Sequence, residues 1–136
     1  MLDAAHLQAT LETVAAAYVR QLDLRVVAVR EGEVDLAMAI TPALVHGGGV
    51  VCGQALMAAA DTAMVVAMIS ELGEFRAMTT VQLQTSFLRP VPGTADAVIV
   101  TAQVLRRGKA LAFGEIWIRT ADGKLAAHAT TTYALL

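Results

Sequence analysis

The stretch Ala55-Leu56-Met57-Ala58-Ala59-Ala60-Asp61-Thr62-Ala63-Met64-Val65-Val66-Ala67-Met68 decides how this chain is read. It is apolar all the way round a helical wheel, which places it inside a core. One residue breaks the pattern. Asp61 sets a carboxylate in the middle of the helix, and such a group must find hydrogen-bond partners or give up its charge. Gly47, Gly48, Gly49 and Gly53 stand just upstream. An acid near the glycine-rich start of a buried helix points to chemistry more than to packing.

Working outward, the helix is predicted over about 53–72, stopping near Gly73, and a loop over 42–52 leads into it. Two strands precede the loop, at about 24–30 and 33–41, joined through Glu31-Gly32. In the second, Val34, Leu36, Met38 and Ile40 alternate with Glu33, Asp35, Ala37 and Ala39, the period of a half-buried strand. The N-terminal segment, 1–22, reads as an amphipathic helix from residue 3. Leu7, Leu11, Val14, Tyr18 and Leu22 recur at steps of three or four, and Asp3 is its expected N-cap.

After the central helix only strands are predicted, at 79–88, about 94–106, 110–120 and 125–135. In the first, Val81, Leu83, Thr85 and Phe87 alternate with Thr80, Gln82, Gln84 and Ser86. Pro90-Val91-Pro92-Gly93, Arg107-Gly108 and Asp122-Gly123 supply the turns. Consecutive strands with short turns imply an antiparallel sheet. The expectation is therefore an α+β fold with the long helix packed on one sheet, in a single domain over 1–136.

Composition narrows the function classes. With 57% hydrophobic and 16% charged residues, the chain has few charges to cover an isolated surface, so an oligomer is expected. A net charge of −2 carries no nucleic-acid footprint and no polybasic membrane signal. Cys52 is the single cysteine, which rules out an internal disulfide and favours a reducing, cytoplasmic setting. The N-terminal residues, with Asp3 and Glu12 and no basic leader, do not read as a signal peptide. The apolar run 55–69 is short for a membrane span and contains Asp61. No histidine has ligand spacing, so no metal site is expected, and the glycines lack the Gly-Lys-Ser/Thr of a phosphate loop.

Three stretches carry a family resemblance. They are Gly49-Val50-Val51-Cys52-Gly53-Gln54 followed by Ala60-Asp61-Thr62-Ala63; Thr79-Thr80-Val81-Gln82-Leu83 with Phe87-Leu88-Arg89-Pro90; and Arg106-Arg107-Gly108-Lys109-Ala110-Leu111-Ala112-Phe113 with Asp122-Gly123-Lys124-Leu125-Ala126-Ala127. In this order the chain, over about 24–135, resembles the hotdog-fold acyl-CoA thioesterases, in particular the phenylacetate-degradation thioesterases. That family wraps a curved antiparallel sheet around a long helix and carries the pattern G-x-x-H-G-G-x-x-x-x-L-x-D. His46-Gly47-Gly48 spells its tripeptide, yet nine residues on stands Ala55; counting back from Asp61 gives Cys52, Gly53 and Gln54. In this second register Cys52 replaces the family His, Gln54 replaces the second Gly, and His46 falls where relatives often carry Asn or Gln.

The resemblance implies hydrolysis of an acyl-CoA thioester, aryl or fatty, at a homodimer interface, with a homotetramer as the expected assembly and no separate cofactor, since CoA is part of the substrate. It assigns Asp61 as general base or nucleophile. The Gly53 N–H, at a helix start, is the polariser of the carbonyl. Thr80 is expected from the partner subunit to orient water, and His46 to bond the water or the acyl group. Each has a plainer reading: Asp61 and Thr80 as a structural pair, Gly53 as relief of crowding, His46 as a solvent-exposed loop residue. Cys52 beside His46 raises a Cys-His pair, against the usual state of free cysteine as a small buried hydrophobe. Arg89, Arg106, Arg107 and Lys109 are the candidates for the CoA phosphates. Two other functions stay open: a non-catalytic acyl-thioester-binding protein, and an enoyl-CoA hydratase using Asp61 with His46.

Overall fold

Asp3 caps the first helix, α1 (Ala4–Val14), its carboxylate accepting the His6 N–H at 2.8 Å. The computed structural model describes all 136 residues. Where one helix was expected to residue 22, α1 ends at Val14 and a single turn, α2 (Ala17–Arg20), follows. The break lets the chain reverse through Asp23, which sits at φ +52°, and bury Leu22 and Leu24. Tertiary burial outweighs local helix propensity here. Gln8 ties the arm down: its side chain donates to the Leu24 carbonyl at 3.1 Å and accepts the Val26 N–H at 2.8 Å.

Strands β1 (Arg25–Arg30) and β2 (Glu33–Ala39) form a hairpin. A short 3-10 turn at Pro42–Leu44 opens the glycine loop, which a bridge between Val45 and Val51 closes. Helix α3 (Gly53–Leu72) follows, and Gly73 ends it in the left-handed region at φ +80°, where a side chain would be strained. Strands β3 (Met78–Phe87), β4 (Ala97–Arg107), β5 (Leu111–Thr120) and β6 (Leu125–Leu135) complete the chain. The strand boundaries lie within three residues of those read from the sequence.

All six strands join one antiparallel sheet in the order β1-β2-β4-β5-β6-β3. The α3 connection carries the chain from β2 across the sheet to the opposite edge, so β3 is an edge strand. The sheet curves around α3, whose Ala59, Ala60, Ala63, Met64, Val66, Ala67 and Met68 are wholly buried. Their partners include Val98, Val100 and Ala102 on β4 and Ile116 and Ile118 on β5. Gly114 allows the closest approach: a Cβ there would stand 2.4 Å from the Met64 sulfur. Burying a side chain such as Met64 stabilises by about 1.5–3 kcal/mol, and this contact needs a residue without a side chain on the sheet. By length and composition α3 could cross a membrane, but 67% of its apolar window is buried inside the fold.

Candidate active site

Asp61 is the one acidic residue of the apolar run, and the fold meets its need for partners with two hydroxyls. Thr80 Oγ1 donates to Oδ1 at 2.8 Å, and the Tyr133 hydroxyl lies 2.5 Å from Oδ1 and 2.8 Å from the Asp61 main-chain oxygen. Oδ2 has no protein partner and keeps contact with solvent. One carboxylate oxygen is held, the other is free. Burial, then the adjacent Asp61 charge, pushes the Tyr133 phenol well above its ordinary range, so it stays a hydrogen-bond donor.

The two hydroxyls reach one carboxylate because Thr80 and Tyr133 are direct cross-strand partners of β3 and β6. A strict alternation from Val81 to Phe87 turns Thr80 away from Leu83. The structure breaks that phase with a β-bulge between Thr80 and Gln82, leaving Val81 unpaired. The extra residue turns Thr80 onto the same face as Leu83 and Thr85, toward α3. Bulges beside sites commonly re-aim a side chain in this way.

Asp61, Thr80 and Tyr133 lie on the wall of a cleft of about 300 Å³ between the α1–α2 arm, α3 and the start of β3. Its remaining wall is mainly apolar, with Leu11, Val14, Val19, Val65, Phe75 and Met78. Gly53 lies elsewhere, in a cleft of about 320 Å³ formed by Val50, Val51, Leu56 and the segment Phe87–Val91. As the first residue of α3, its N–H has no bond within the chain. A Cβ there would come 3.2 Å from the tip of the Phe87 ring, which is half exposed.

Three expectations change. Thr80 bonds Asp61 of its own chain rather than facing it only from a partner. His46 lines neither cleft: it is exposed, and its Nδ1 accepts the Gly48 N–H at 2.8 Å, which spends that nitrogen on ordering the loop. No hydrogen bond joins it to Cys52, whose own N–H goes to the Leu44 carbonyl. The four basic residues do not gather. Arg89 borders the Gly53 cleft, while Arg107 is 3.0 Å from Glu71 at the far end of α3, with Arg106 and Lys109 beside it in the β4–β5 hairpin. Strands of this length separate the two ends of the sheet by about 30 Å.

Sequence comparison agrees with this architecture: the family model described as the thioesterase superfamily matches residues 48–127, more than half of the chain. The chain belongs to the thioesterase superfamily. Among solved structures this thioesterase-superfamily chain is similar to a conserved protein of Pseudomonas aeruginosa, at 29% identity and TM-score 0.83, covering 92% of this chain and 98% of that one. It is also similar to the PaaI protein from the phenylacetic acid degradation operon of Escherichia coli, at 26% identity and TM-score 0.81, with 94% and 90% covered. A phenylacetic acid degradation-related protein of Ralstonia eutropha matches at 27% identity and TM-score 0.80, with 95% and 98% covered. No curated protein matches the sequence. The hotdog fold expected from the three sequence stretches is therefore the fold observed.

Tyr133 is the site residue that the sequence reading passed over. Its signal is its place on β6, in phase with the small buried residues Ala127, Ala129 and Thr131. We expect Tyr133→Phe, which keeps the ring and removes the hydroxyl, to lower kcat about tenfold while KM moves less than about threefold. Losing a hydrogen bond to a charged group costs about 1.5–3 kcal/mol, and here the loss falls on the orientation of the carboxylate. Steady-state kinetics check this, and an unchanged kcat would reduce Tyr133 to packing.

Proposed function

We propose that this thioesterase-superfamily protein hydrolyses an acyl-CoA thioester to the free acid and CoA, with Asp61 as the activating carboxylate. The observation that carries the reading is the half-occupied Asp61 carboxylate on the wall of a mainly apolar cleft: Oδ1 is fixed by Thr80 and Tyr133, and Oδ2 has no protein partner. Such a group is placed to take a proton from water as it attacks the thioester carbon, or to attack that carbon itself. The departing thiolate leaves as CoA.

The second half of the chemistry is a donor for the carbonyl oxygen, and Gly53 N–H is free to serve. Along α3, however, eight positions separate Gly53 from Asp61, a rise of about 12 Å. A reacting carbonyl needs both groups within about 3–3.5 Å of its own atoms. The two residues also occupy clefts with no lining residue in common. We infer that the complete site is built from two copies of the chain, as the resemblance implies.

The free edge of β3 supports this. Its start, Met78–Thr80, borders the Asp61 cleft and its end, Phe87, borders the Gly53 cleft. Val81 is 59% and Phe87 49% exposed on this unpaired edge, the kind of strand that seeks a partner. Antiparallel pairing of two copies centred on Leu83–Gln84 sets Thr80 of one opposite Phe87 of the other. That brings the Asp61 cleft of each copy to the Gly53 cleft of its mate. Arg89, bordering the same cleft, is the basic residue best placed for a phosphate of CoA.

The test is release of free thiol by purified protein from a panel of aryl, short and long acyl-CoA thioesters. Release that depends on Asp61 supports the reading. Tight acyl-CoA binding with no thiol release would select the binding protein instead. Loss of enoyl absorbance from an enoyl-CoA would select the hydratase.

A further inference from the structure

The geometry points to the Asp61 cleft as an acyl pocket for a compact, uncharged hydrocarbon group, closed at its far end by Leu11, Ala15 and Val19 of the N-terminal arm. The inference rests on the thioesterase reading and adds the acyl class and the residues that limit it. The first observation is charge. Apart from Asp61 at the chemistry and the un-ionised Tyr133, no residue of the same chain that lines this cleft is ionisable. A second carboxylate on the acyl group would lose its water there and meet the Asp61 charge.

The second observation is what lies behind the wall. A smaller cavity of about 140 Å³ adjoins the cleft, and the two share only Leu11, Ala15 and Val19. Beyond that partition the surroundings turn polar: Gln8, Glu12, Arg20 and Asp23. A hydrocarbon tail gains free energy for each methylene up to the partition and loses the gain where it would displace water from these groups. The arm is also fixed in place, because the Gln8 side chain holds it to Leu24 and Val26 of the β1 edge. The wall is therefore positioned well enough to measure chain length.

The probes are S-alkyl-CoA thioethers from butyl to hexadecyl, which have no scissile carbonyl, and the matching acyl-CoA esters. Thioether affinity is expected to rise about fourfold per added methylene, from about 0.8 kcal/mol each, and then to stop. Ala15→Phe, which adds bulk to the partition at a residue lining both cavities and at an ordinary extended backbone position, should weaken the longest well-bound thioether roughly tenfold or more and spare the butyl one. Val19→Ala should move the stop to a longer chain. A thioether ending in a carboxylate should bind at least about tenfold more weakly than its methyl-ended equivalent.

A length profile unchanged in both variants, with thiol release intact, would overturn the wall and leave the hydrolase reading standing. A profile that shifts as stated while no ester is hydrolysed would support the pocket and end the hydrolase reading. Equal binding of the carboxylate-ended thioether would overturn the assignment of an uncharged acyl group.

Discussion

Asp61→Asn is expected to lower acyl-CoA turnover at least a hundredfold while the protein stays folded with a nearly unchanged melting temperature. Asparagine is the same shape and keeps a carbonyl oxygen where Oδ1 now accepts from Thr80 and Tyr133. Its amide nitrogen would take the place of Oδ2, which already faces solvent, so no new unpaired group is buried. What disappears is the capacity to accept a proton or attack carbon. General-base catalysis alone contributes about 10²–10⁴-fold, so the loss belongs in kcat/KM and chiefly in kcat. Thiol-release kinetics with a thermal melt of the same sample make the check. Wild-type turnover in a folded Asp61→Asn protein would remove Asp61 from the chemistry.

Gly53→Pro is the second large effect, with an expected fall in kcat of about 10²–10³-fold, the cost of one oxyanion donor. Proline removes the N–H and little else. Gly53 is the first residue of α3, the position where proline is best tolerated because that N–H has no helical partner. The preceding Cys52 is already extended, at φ −68° and ψ 146°, as a residue before proline should be. A Cβ at this position meets the ring of the half-exposed Phe87, which can move. Gly53→Ala keeps the N–H and makes the same contact with Phe87, so it is the control. Equal losses in the two variants would assign the effect to crowding rather than to the missing donor.

Most of the fold was legible because its signals are local. The apolar run with one acid, the glycine at position 73 and the alternation of Val34, Leu36 and Met38 each specify an element without knowledge of its neighbours. The parts that escaped depend on contacts between distant segments. The break after Val14 has no glycine or proline to announce it and arises from the burial of Leu22 and Leu24. The bulge at Val81 leaves no mark in composition, yet it decides which way Thr80 points. Tyr133 is 72 positions from Asp61, and only the β3–β6 pairing brings it there. His46 and the basic quartet show the reverse failure. His46 matches a motif tripeptide but lies in an exposed loop, and the four basic residues all fall near strand ends, yet the sheet holds Arg89 and Arg107 at opposite ends.

The central claim is that Asp61 of one copy works on a thioester held by the Gly53 N–H of another. Co-expressing the Asp61→Asn and Gly53→Pro chains with different tags, and purifying the species that carries both, tests it most directly. In a two-fold assembly one of the two sites then receives an intact Asp61 and an intact Gly53, so about half of wild-type activity should return. A mixed species as inactive as either parent would contradict the claim.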